Sequence, residues 1–260
     1  MDYSNILKRI ETALAAATEV LKDFTSGKIQ STLKKGGDPV TEADLILDKV
    51  LKKELLRDTE GWLSEETKDD FSRLKKECVW IVDPIDGTRE FIEGIPEWCI
   101  SIAYVVNGRP EAAGICNLAT HQTFLGTRDN GVTLNGQPVK ISQKQDLEGA
   151  TVLASRSEVK RGQWERFENV GFEIIPMGSV AYKMARLAAG LNEATFTLVP
   201  KNEWDVAAGW LLVEAAGGKV LDKDGNPRPF NSRNPLLSGL ISANPTLHEK
   251  LSRLCEVNHL

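Results

Sequence analysis

The chain has 260 residues and a formal net charge of -5, and its 41% apolar and 27% charged residues are ordinary for a globular protein with a sizeable core. The negative charge argues against a nucleic-acid backbone or an anionic membrane as a partner, because both are negatively charged themselves. An anionic ligand would therefore need local positive charge, supplied by metal ions or by helix N-termini.

The four cysteines form no C-x-x-C pair, and a disulfide scaffold is not expected in a chain of this length. We therefore expect reduced thiols and a reducing compartment, the cytoplasm. The first 24 residues carry seven charged side chains, which leaves no apolar core for a signal peptide. Because no apolar run reaches the length of a membrane span, we expect no membrane partner.

The first part of the chain is predicted to begin with two helices and to continue in strands. Apolar residues from Ile6 to Leu21 recur at helical spacing, and Gly27 indicates the end of that helix. Thr41 is suited to cap a second helix that runs to about Leu56. Runs of β-branched and apolar residues predict strands at Val79–Val82, Cys99–Val106, Glu111–Asn117 and Thr123–Gly126.

After about Leu147, predicted strands alternate with predicted helices. The strands are Thr151–Ser155, Phe172–Pro176 and Ala194–Val199, and the helices are Gln163–Val170, Ser179–Ala189 and Asp205–Ala216. We therefore predict an α+β fold. An antiparallel N-terminal half, residues 1–147, would be followed by an α/β C-terminal half, residues 148–260. No linker rich in proline, glycine or serine separates the halves, so we expect them to share an interface.

The most informative motif follows the strand predicted at Val79–Val82. Asp83 lies at the end of this strand, and Asp86 comes three residues later, across a tight turn. Two carboxylates held at such an offset suit a hard divalent cation. The backbone amides of Gly87 and Thr88 suit a phosphate, and Thr88 is expected to cap the next helix. Taken singly, the Asp-Pro and Asp-Gly dipeptides would only mark turns.

Three other segments carry acidic residues that could join this turn. They are Lys34–Asp44, Leu63–Thr67 and Trp204–Gly209. Each acidic residue also has an ordinary explanation: Glu65 as a solvated loop charge, Asp44 as a partner of a helix dipole, and Asp205 as an N-cap that could also bind metal.

With these four segments in this order, the chain resembles the inositol monophosphatase family. These are Mg²⁺-dependent, Li⁺-sensitive phosphatases, and the family includes bisphosphate nucleotidases. The match runs from about Lys34 to Gly218. The resemblance implies a layered αβαβα sandwich of the sugar-phosphatase type that binds two or three Mg²⁺ ions. The implied metal ligands are the side chains of Glu65, Asp83, Asp86 and Asp205 and the carbonyl of Ile85.

The resemblance also implies which residues take part in catalysis and in substrate binding. Asp44 and Thr88 would orient the attacking water, assisted by Glu65 and by a loop lysine. Lys34 matches that lysine, and the neighbouring Lys35 fits the role as well. A plain helix start would explain the Gly-Ser pair near residue 178 equally well. The implied substrate-binding residues are Gly87, Thr88, Gly178, Ser179 and Asp205.

The motifs imply a small phosphorylated metabolite as the substrate and leave its identity open. Relatives that act on inositol usually carry a glutamate seven residues before the Trp-Asp aspartate, where this chain has Leu198. This difference, with Thr88–Ile92 and Asn202–Asp205, favours a 3′(2′),5′-bisphosphate nucleotidase. Ser101–Ala103 and Gly131–Gly136 are closer to the inositol branch, so inositol-1-monophosphatase and histidinol-phosphatase stay as alternatives. The alternative from another class is a catalytically silent phosphate- or metal-binding protein, and a homodimer is left open.

Overall fold

Apolar, β-branched segments form two large sheets in this computed structural model, which describes residues 3–34 and 39–257. In chain order the strands are β1 Ser31–Leu33, β2 Pro39–Thr41, β3 Gly61–Ser64, β4 Cys78–Asp86, β5 Cys99–Val106, β6 Arg109–Asn117, β7 Gln122–Thr127, β8 Gly131–Leu134, β9 Gln137–Val139, β10 Thr151–Ser155, β11 Glu173–Met177, β12 Ala194–Thr197, β13 Lys201–Asn202, β14 Lys219–Asp222, β15 Leu236–Leu237 and β16 Leu240–Ala243.

The larger sheet has the strand order β3-β4-β5-β6-β7-β8-β9, and the smaller sheet has the order β11-β10-β12-β16-β14. Neighbours in the larger sheet are antiparallel except for β3 and β4, which are parallel. In the smaller sheet β10 runs parallel to β11 and β12, while β16 is antiparallel to both of its neighbours. The predicted α+β fold class is confirmed, and the division at residues 147 and 148 stays a prediction.

Helices lie on both faces of each large sheet and give five layers in the order αβαβα. No helix among residues 3–34 and 39–257 is long and apolar enough to cross a bilayer. The α-helices are α1 Ser4–Leu21, α2 Glu42–Leu55, α3 Thr88–Glu93, α4 Arg156–Lys160, α5 Val180–Ala188, α6 Glu203–Ala215 and α7 Pro245–Val257.

Strand β4 is buried on both faces because it lies between two helical layers. Trp80 and Val82 point into the core formed with α1 and α2, whereas Val79 and Ile81 point into the core formed with α5 and α6. This alternation follows from the two-residue period of a strand. It also explains why the segment is an unbroken apolar run instead of an alternating one.

Helix α6 is apolar on nearly all sides because both large sheets pack around it. Residues 206–213 are all buried, and α6 contacts β5 and β6 of the larger sheet as well as β14 of the smaller one. A helix between two sheets has no solvent-facing side, so it loses the usual polar stripe. Its N-terminus is therefore held firmly relative to both sheets.

The helix predicted at Gln163–Val170 is wrong. The structure has a 3₁₀ turn at Glu165–Phe167 and places the α-helix earlier, at α4. Trp164 and Phe167 both pack on Phe196 of β12, with ring centroids 4.3 Å and 5.1 Å away. Two side chains three residues apart line up on one side of a 3₁₀ turn, and this packing therefore favours the tighter turn over an α-helix. Nine of the sixteen strands in the described part of the chain, β3 among them, and helix α7 are found without having been predicted.

The outer layer allows a direct test of the core. Ile10 of α1 is completely buried, whereas Leu45 of α2 is 44% exposed. We expect Ile10→Ala to lower the free energy of unfolding by about 2–5 kcal/mol, because it leaves a cavity between helix and sheet. Leu45→Ala is the matched control and should change it by less than about 0.5 kcal/mol. Urea unfolding followed by circular dichroism measures both, and equal effects of the two substitutions would contradict this packing.

Candidate active site

Two adjacent strands deliver the first two acidic residues to one edge of the larger sheet. Strand β3 pairs with β4 in parallel, with Ser64 opposite Val82. Glu65 and Asp83 are the next residues in each segment, and the amide of Glu65 donates to the carbonyl of Val82 at 3.4 Å. Because the two strands run in the same direction, both carboxylates leave the sheet at the same end.

The first turn of α6 adds a third carboxylate, that of Asp205. One carboxyl oxygen from each of Glu65, Asp83 and Asp205 lies within 4.8 Å of the other two. The N-cap of α6 is Asn202, and Asp205 is the third helical residue, where its Oδ2 accepts from the amide of Asn202 at 2.8 Å. The prediction that Asp205 is an N-cap is therefore wrong. Asp205 is instead the acidic residue at the third helical position of a capping box.

Asp86 lies beside these three residues and is held by a different helix. Its Oδ2 accepts hydrogen bonds from the Ser179 hydroxyl at 2.6 Å and from the Ala181 amide at 2.7 Å, at the start of α5. The β4–β5 pairing is irregular between Asp83 and Asp86. The intervening turn lets both side chains reach the same region although they are three residues apart.

Burial and mutual repulsion perturb these acids. Burial is the main cause that raises the pKa of Asp83 well above its usual range, and Glu65, Asp86 and Asp205 add to the effect. Burial, then the charges of Asp86 and Glu65, raise the pKa of Asp205 to about 8. Closely spaced carboxylate oxygens are the hard donors that Mg²⁺ binds. The residues of this site therefore fit divalent cations.

Lys34 supplies positive charge at one side of the acidic group. Its Nζ lies 2.6 Å from Glu65 Oε1 and 2.6 Å from Glu66 Oε1. Burial alone would lower the pKa of Lys34, but the two carboxylates raise it above its usual value. The alternative loop lysine, Lys35, lies outside the described residues.

Asp44 and Thr88 come together as predicted from the resemblance. Thr88 Oγ1 lies 3.2 Å from Asp44 Oδ1 and 3.0 Å from the carbonyl oxygen of Ile85. Asp44 Oδ2 accepts from the Thr41 amide at 2.8 Å and from the Thr41 hydroxyl at 2.5 Å. Thr41 is confirmed as the N-cap of α2, and this capping box fixes the orientation of the Asp44 carboxylate.

Thr88 does not cap α3, contrary to the prediction. It is the first residue of that helix, and the N-cap is Gly87. Gly87 has φ +98°, and a Cβ there would lie 2.8 Å from the carbonyl oxygen of Glu97. A left-handed, crowded position of this kind favours glycine. The Thr88 hydroxyl is consequently directed to Asp44 and Ile85 and not to the helix amides.

The Gly178-Ser179 pair forms the turn before α5. The Ser179 hydroxyl caps the helix by accepting from the Tyr182 amide at 3.0 Å while it donates to Asp86. A Cβ on Gly178 would come within 2.4 Å of the Glu90 side chain. Ser179 therefore both starts the helix and places Asp86, so the plain helix start is shown for this pair, and its contact with the substrate stays a prediction.

One cavity of about 400 Å³ connects most of these groups. Asp44 and Lys34 are absent from its lining and support it through Thr88 and Glu65. Nine of the eleven residues predicted for the site line it: Glu65, Asp83, Ile85, Asp86, Gly87, Thr88, Gly178, Ser179 and Asp205.

The cavity also has a set of cations that the sequence did not reveal as site residues: Arg89, Arg156, Arg161, Lys183 and Lys201. Lys183 is 3% exposed and donates to the carbonyl of Met177 at 3.1 Å. Burial, followed by the charge of Lys201, lowers the pKa of Lys183 to about 8. Its position one helical turn after Ser179 is the only signal in the sequence that could have suggested it.

The chain belongs to the inositol monophosphatase family, whose profile matches residues 2–258. Members of this family are phosphatases, and so is this chain. It is 32% identical to the fructose-1,6-bisphosphatase/inositol-1-monophosphatase of Thermotoga maritima over 83% of this chain and 84% of that one. It is 30% identical to the Nus factor SuhB of Xylella fastidiosa over 90% of this chain and 88% of that one. The structure of extragenic suppressor protein suhB from Bartonella henselae matches with a TM-score of 0.83 and 28% identity, over 97% and 98% of the two chains.

The acidic group predicts a specific pH dependence of stability. Asp205 has a pKa of about 8 in the folded chain and about 3.9 when unfolded. The folded state therefore binds the extra proton, and the associated stability is lost as the pH rises through about 8. We expect the Tm of chelator-treated protein to fall between about pH 5.5 and pH 8. Mg²⁺ should then raise the Tm more at the higher pH, since it replaces the lost proton.

Differential scanning calorimetry with and without Mg²⁺ measures both effects. Asp205→Asn is the informative variant, because it removes the titrating group while keeping a side chain that can accept from Asn202. It should reduce the pH dependence of the metal-free protein without abolishing it, because the pKa of Asp83 is raised as well. A parent protein whose Tm rises over this interval without metal would contradict the assigned shift.

Proposed function

We propose that this protein is a Mg²⁺-dependent phosphomonoesterase in which a water attacks a small phosphate monoester. The observation that carries the proposal is that one cavity joins the Glu65–Asp83–Asp205 group to Thr88, whose hydroxyl contacts Asp44. The family relationship supports the reaction class. Because every predicted ligand is present, the alternative of a catalytically silent binding protein is disfavoured.

The metal would be held by the carboxylates of Glu65, Asp83, Asp86 and Asp205 and by the carbonyl of Ile85. Two or three Mg²⁺ ions bound there would supply positive charge to the phosphate oxygens and to the leaving oxygen, and would make water more acidic. Lys34 adds a further cation beside Glu65. Mg²⁺ dependence and Li⁺ sensitivity are general properties of the family.

Thr88 and Asp44 would orient the water and accept its proton. The Thr88 hydroxyl can donate to Asp44 Oδ1 while its oxygen accepts from water, so that a proton can move along this pair. Asp44 Oδ2 is already engaged by Thr41, which leaves Oδ1 as the acceptor. Burial raises the pKa of Asp44 above its usual value, and this makes it a better base than an exposed aspartate.

The remaining predicted residues would contact the substrate. The backbone amides of Gly87 and Thr88 would donate to the phosphate, and Gly178, Ser179 and Asp205 would contact the group beyond it. This site uses fixed donors and charges and needs no covalent enzyme intermediate.

We further propose that the preferred substrate carries a second phosphate, with 3′-phosphoadenosine 5′-phosphate as the leading candidate. The cations of the cavity support this, because Mg²⁺ bound at the carboxylates would already neutralise the first phosphate. Arg156 is paired with Glu97 at 2.5 Å, so Arg161 at the rim is the clearest candidate for contact with the second phosphate. Leu198 does not line the cavity and packs beside the core of the smaller sheet. The position that carries the inositol-binding glutamate in relatives therefore offers no hydroxyl partner here.

Inositol 1-phosphate is the second candidate, because Ser155, Ser157 and Asn202 line the same cavity and can bind hydroxyl groups. Histidinol phosphate stays as a further alternative. The cytoplasmic location and the homodimer also stay predictions.

The metal site is tested by Asp86→Asn. The amide oxygen can accept both hydrogen bonds that now come from Ser179 and Ala181, so the fold should survive while the charge is lost. We expect turnover to fall by at least about a hundredfold, as binding of a hard cation depends on the carboxylate. The parent should lose activity in chelator and recover it with Mg²⁺. A variant within tenfold of the parent would show that Asp86 is not a ligand.

The second-phosphate proposal is tested by Arg161→Gln. Arg161 lies at the exposed rim of the cavity, where its guanidinium donates to Gln163, so its loss should not disturb the carboxylates. We expect kcat/KM for 3′-phosphoadenosine 5′-phosphate to fall about tenfold, the size of one lost charged hydrogen bond. The value for inositol 1-phosphate should change less than about threefold, because that substrate has no second phosphate.

Arg253→Gln on α7 is the matched control, since Arg253 is exposed and absent from the cavity lining. The same assay on the parent should include histidinol phosphate and fructose 1,6-bisphosphate. If the parent strongly prefers inositol 1-phosphate, the nucleotidase proposal is wrong. If Arg161→Gln affects both substrates equally, the cationic rim does not recognise a second phosphate.

A further inference from the structure

A buried carboxylate that none of the assigned roles uses lies directly behind the acidic group. Asp48 is 7% exposed and follows Asp44 by one turn of α2. Its Oδ1 accepts from the Ser64 hydroxyl at 2.5 Å, and its Oδ2 accepts from the Thr67 hydroxyl at 2.5 Å. One carboxylate thus binds the residues on both sides of the Glu65-Glu66 pair.

The segment held in this way has little regular backbone structure of its own. Strand β3 ends at Ser64, and the chain continues through bends until residue 67. The amide of Glu65 makes one long bond to Val82, and the amide of Glu66 makes one of 3.4 Å to the Ser64 hydroxyl. The two hydrogen bonds to the buried Asp48 carboxylate are shorter than these backbone contacts. They tie the bend to α2 on both sides of the Glu65-Glu66 pair, and the two glutamate side chains are held in addition by Lys34.

We propose that Asp48 is a positioning residue that holds the Glu65 carboxylate in the geometry needed for metal binding. The proposal rests on the proposed role of Glu65 as a metal ligand. In this proposal, α2 positions two residues of the site. Residues four apart lie on one face of a helix, so Asp44 orients Thr88 while Asp48, one turn later, orients Glu65.

Hydrogen bonding, and not charge, is the property that matters in this arrangement. Asp48→Asn keeps an oxygen that accepts from one hydroxyl and gains an amino group that can donate to the other. Asp48→Ala removes both contacts and leaves the bend free to move. We therefore expect the alanine variant to weaken metal binding and the asparagine variant to restore most of it.

The experiment measures Mn²⁺ binding by electron paramagnetic resonance of the free ion, with kinetics at varied Mg²⁺ alongside. Asp48→Ala should weaken Mn²⁺ binding by about tenfold or more, the usual cost of losing a residue that orients a ligand. The Mg²⁺ concentration for half-maximal activity should rise in parallel. At saturating Mg²⁺ the substrate KM should stay within about threefold of the parent, since Asp48 does not line the cavity.

Two controls separate this proposal from the proposed function. Glu65→Gln tests the ligand itself, and Asp58→Ala tests loss of an exposed aspartate near the end of α2. If Glu65→Gln binds Mn²⁺ like the parent, the ligand assignment fails. If Glu65→Gln weakens binding but Asp48→Ala does not, only the positioning role is overturned.

A second variant covers the case in which Asp48→Ala does not fold. The double substitution Ser64→Ala and Thr67→Val removes the two hydroxyl donors with little change of volume at residue 67. It should reproduce the weakened Mn²⁺ binding while circular dichroism shows a folded chain. Parent-like Mn²⁺ binding by the folded double variant would overturn the proposal.

Discussion

The site depends on holding like charges together where water is scarce. Carboxyl oxygens of Glu65, Asp83 and Asp205 lie within 4.8 Å of one another, and burial raises the pKa values of all three. Such a group is unfavourable in a metal-free chain, so the surrounding structure must supply the restraint. It does so with parallel strands, with α6 enclosed between two sheets, and with hydrogen bonds from helix starts. The unfavourable free energy of burying these like charges is thus offset by the large apolar cores on either side of the site.

Three helix starts at the site each orient an acidic side chain. The capping box of α2 fixes Asp44, the cap of α5 fixes Asp86, and the capping box of α6 fixes Asp205. Every one of these bonds uses one carboxylate oxygen and leaves the second oxygen for chemistry. The same aspartates therefore take part in helix capping and belong to the proposed site. Hydrogen bonds at the helix starts hold their carboxylates in place.

The cavity lining combines acids and cations that come from different parts of the chain. The larger sheet and its flanking helices contribute the acids, whereas most of the cations, including Arg156, Arg161 and Lys183, come from the second half of the chain. The proposed metal ligands themselves come from both halves of the chain, because Asp205 of α6 joins Glu65 and Asp83, and the cavity is complete only when the two halves pack together.

The sequence alone determined the features that depend on neighbouring residues: the fold class, seven of the sixteen strands in the described part of the chain, the cap at Thr41, and the acidic motifs that indicate a metal-dependent phosphatase. Tertiary structure decided the rest. A 3₁₀ turn replaced the helix predicted at Gln163–Val170 because Trp164 and Phe167 pack on Phe196 of a distant strand. Asp48 contacts the Glu65 bend because α2 packs beside it, and Lys183 lines the cavity because α5 packs against it. Charges brought together from far along the chain leave no periodic or local pattern, so their meeting is visible only in the fold.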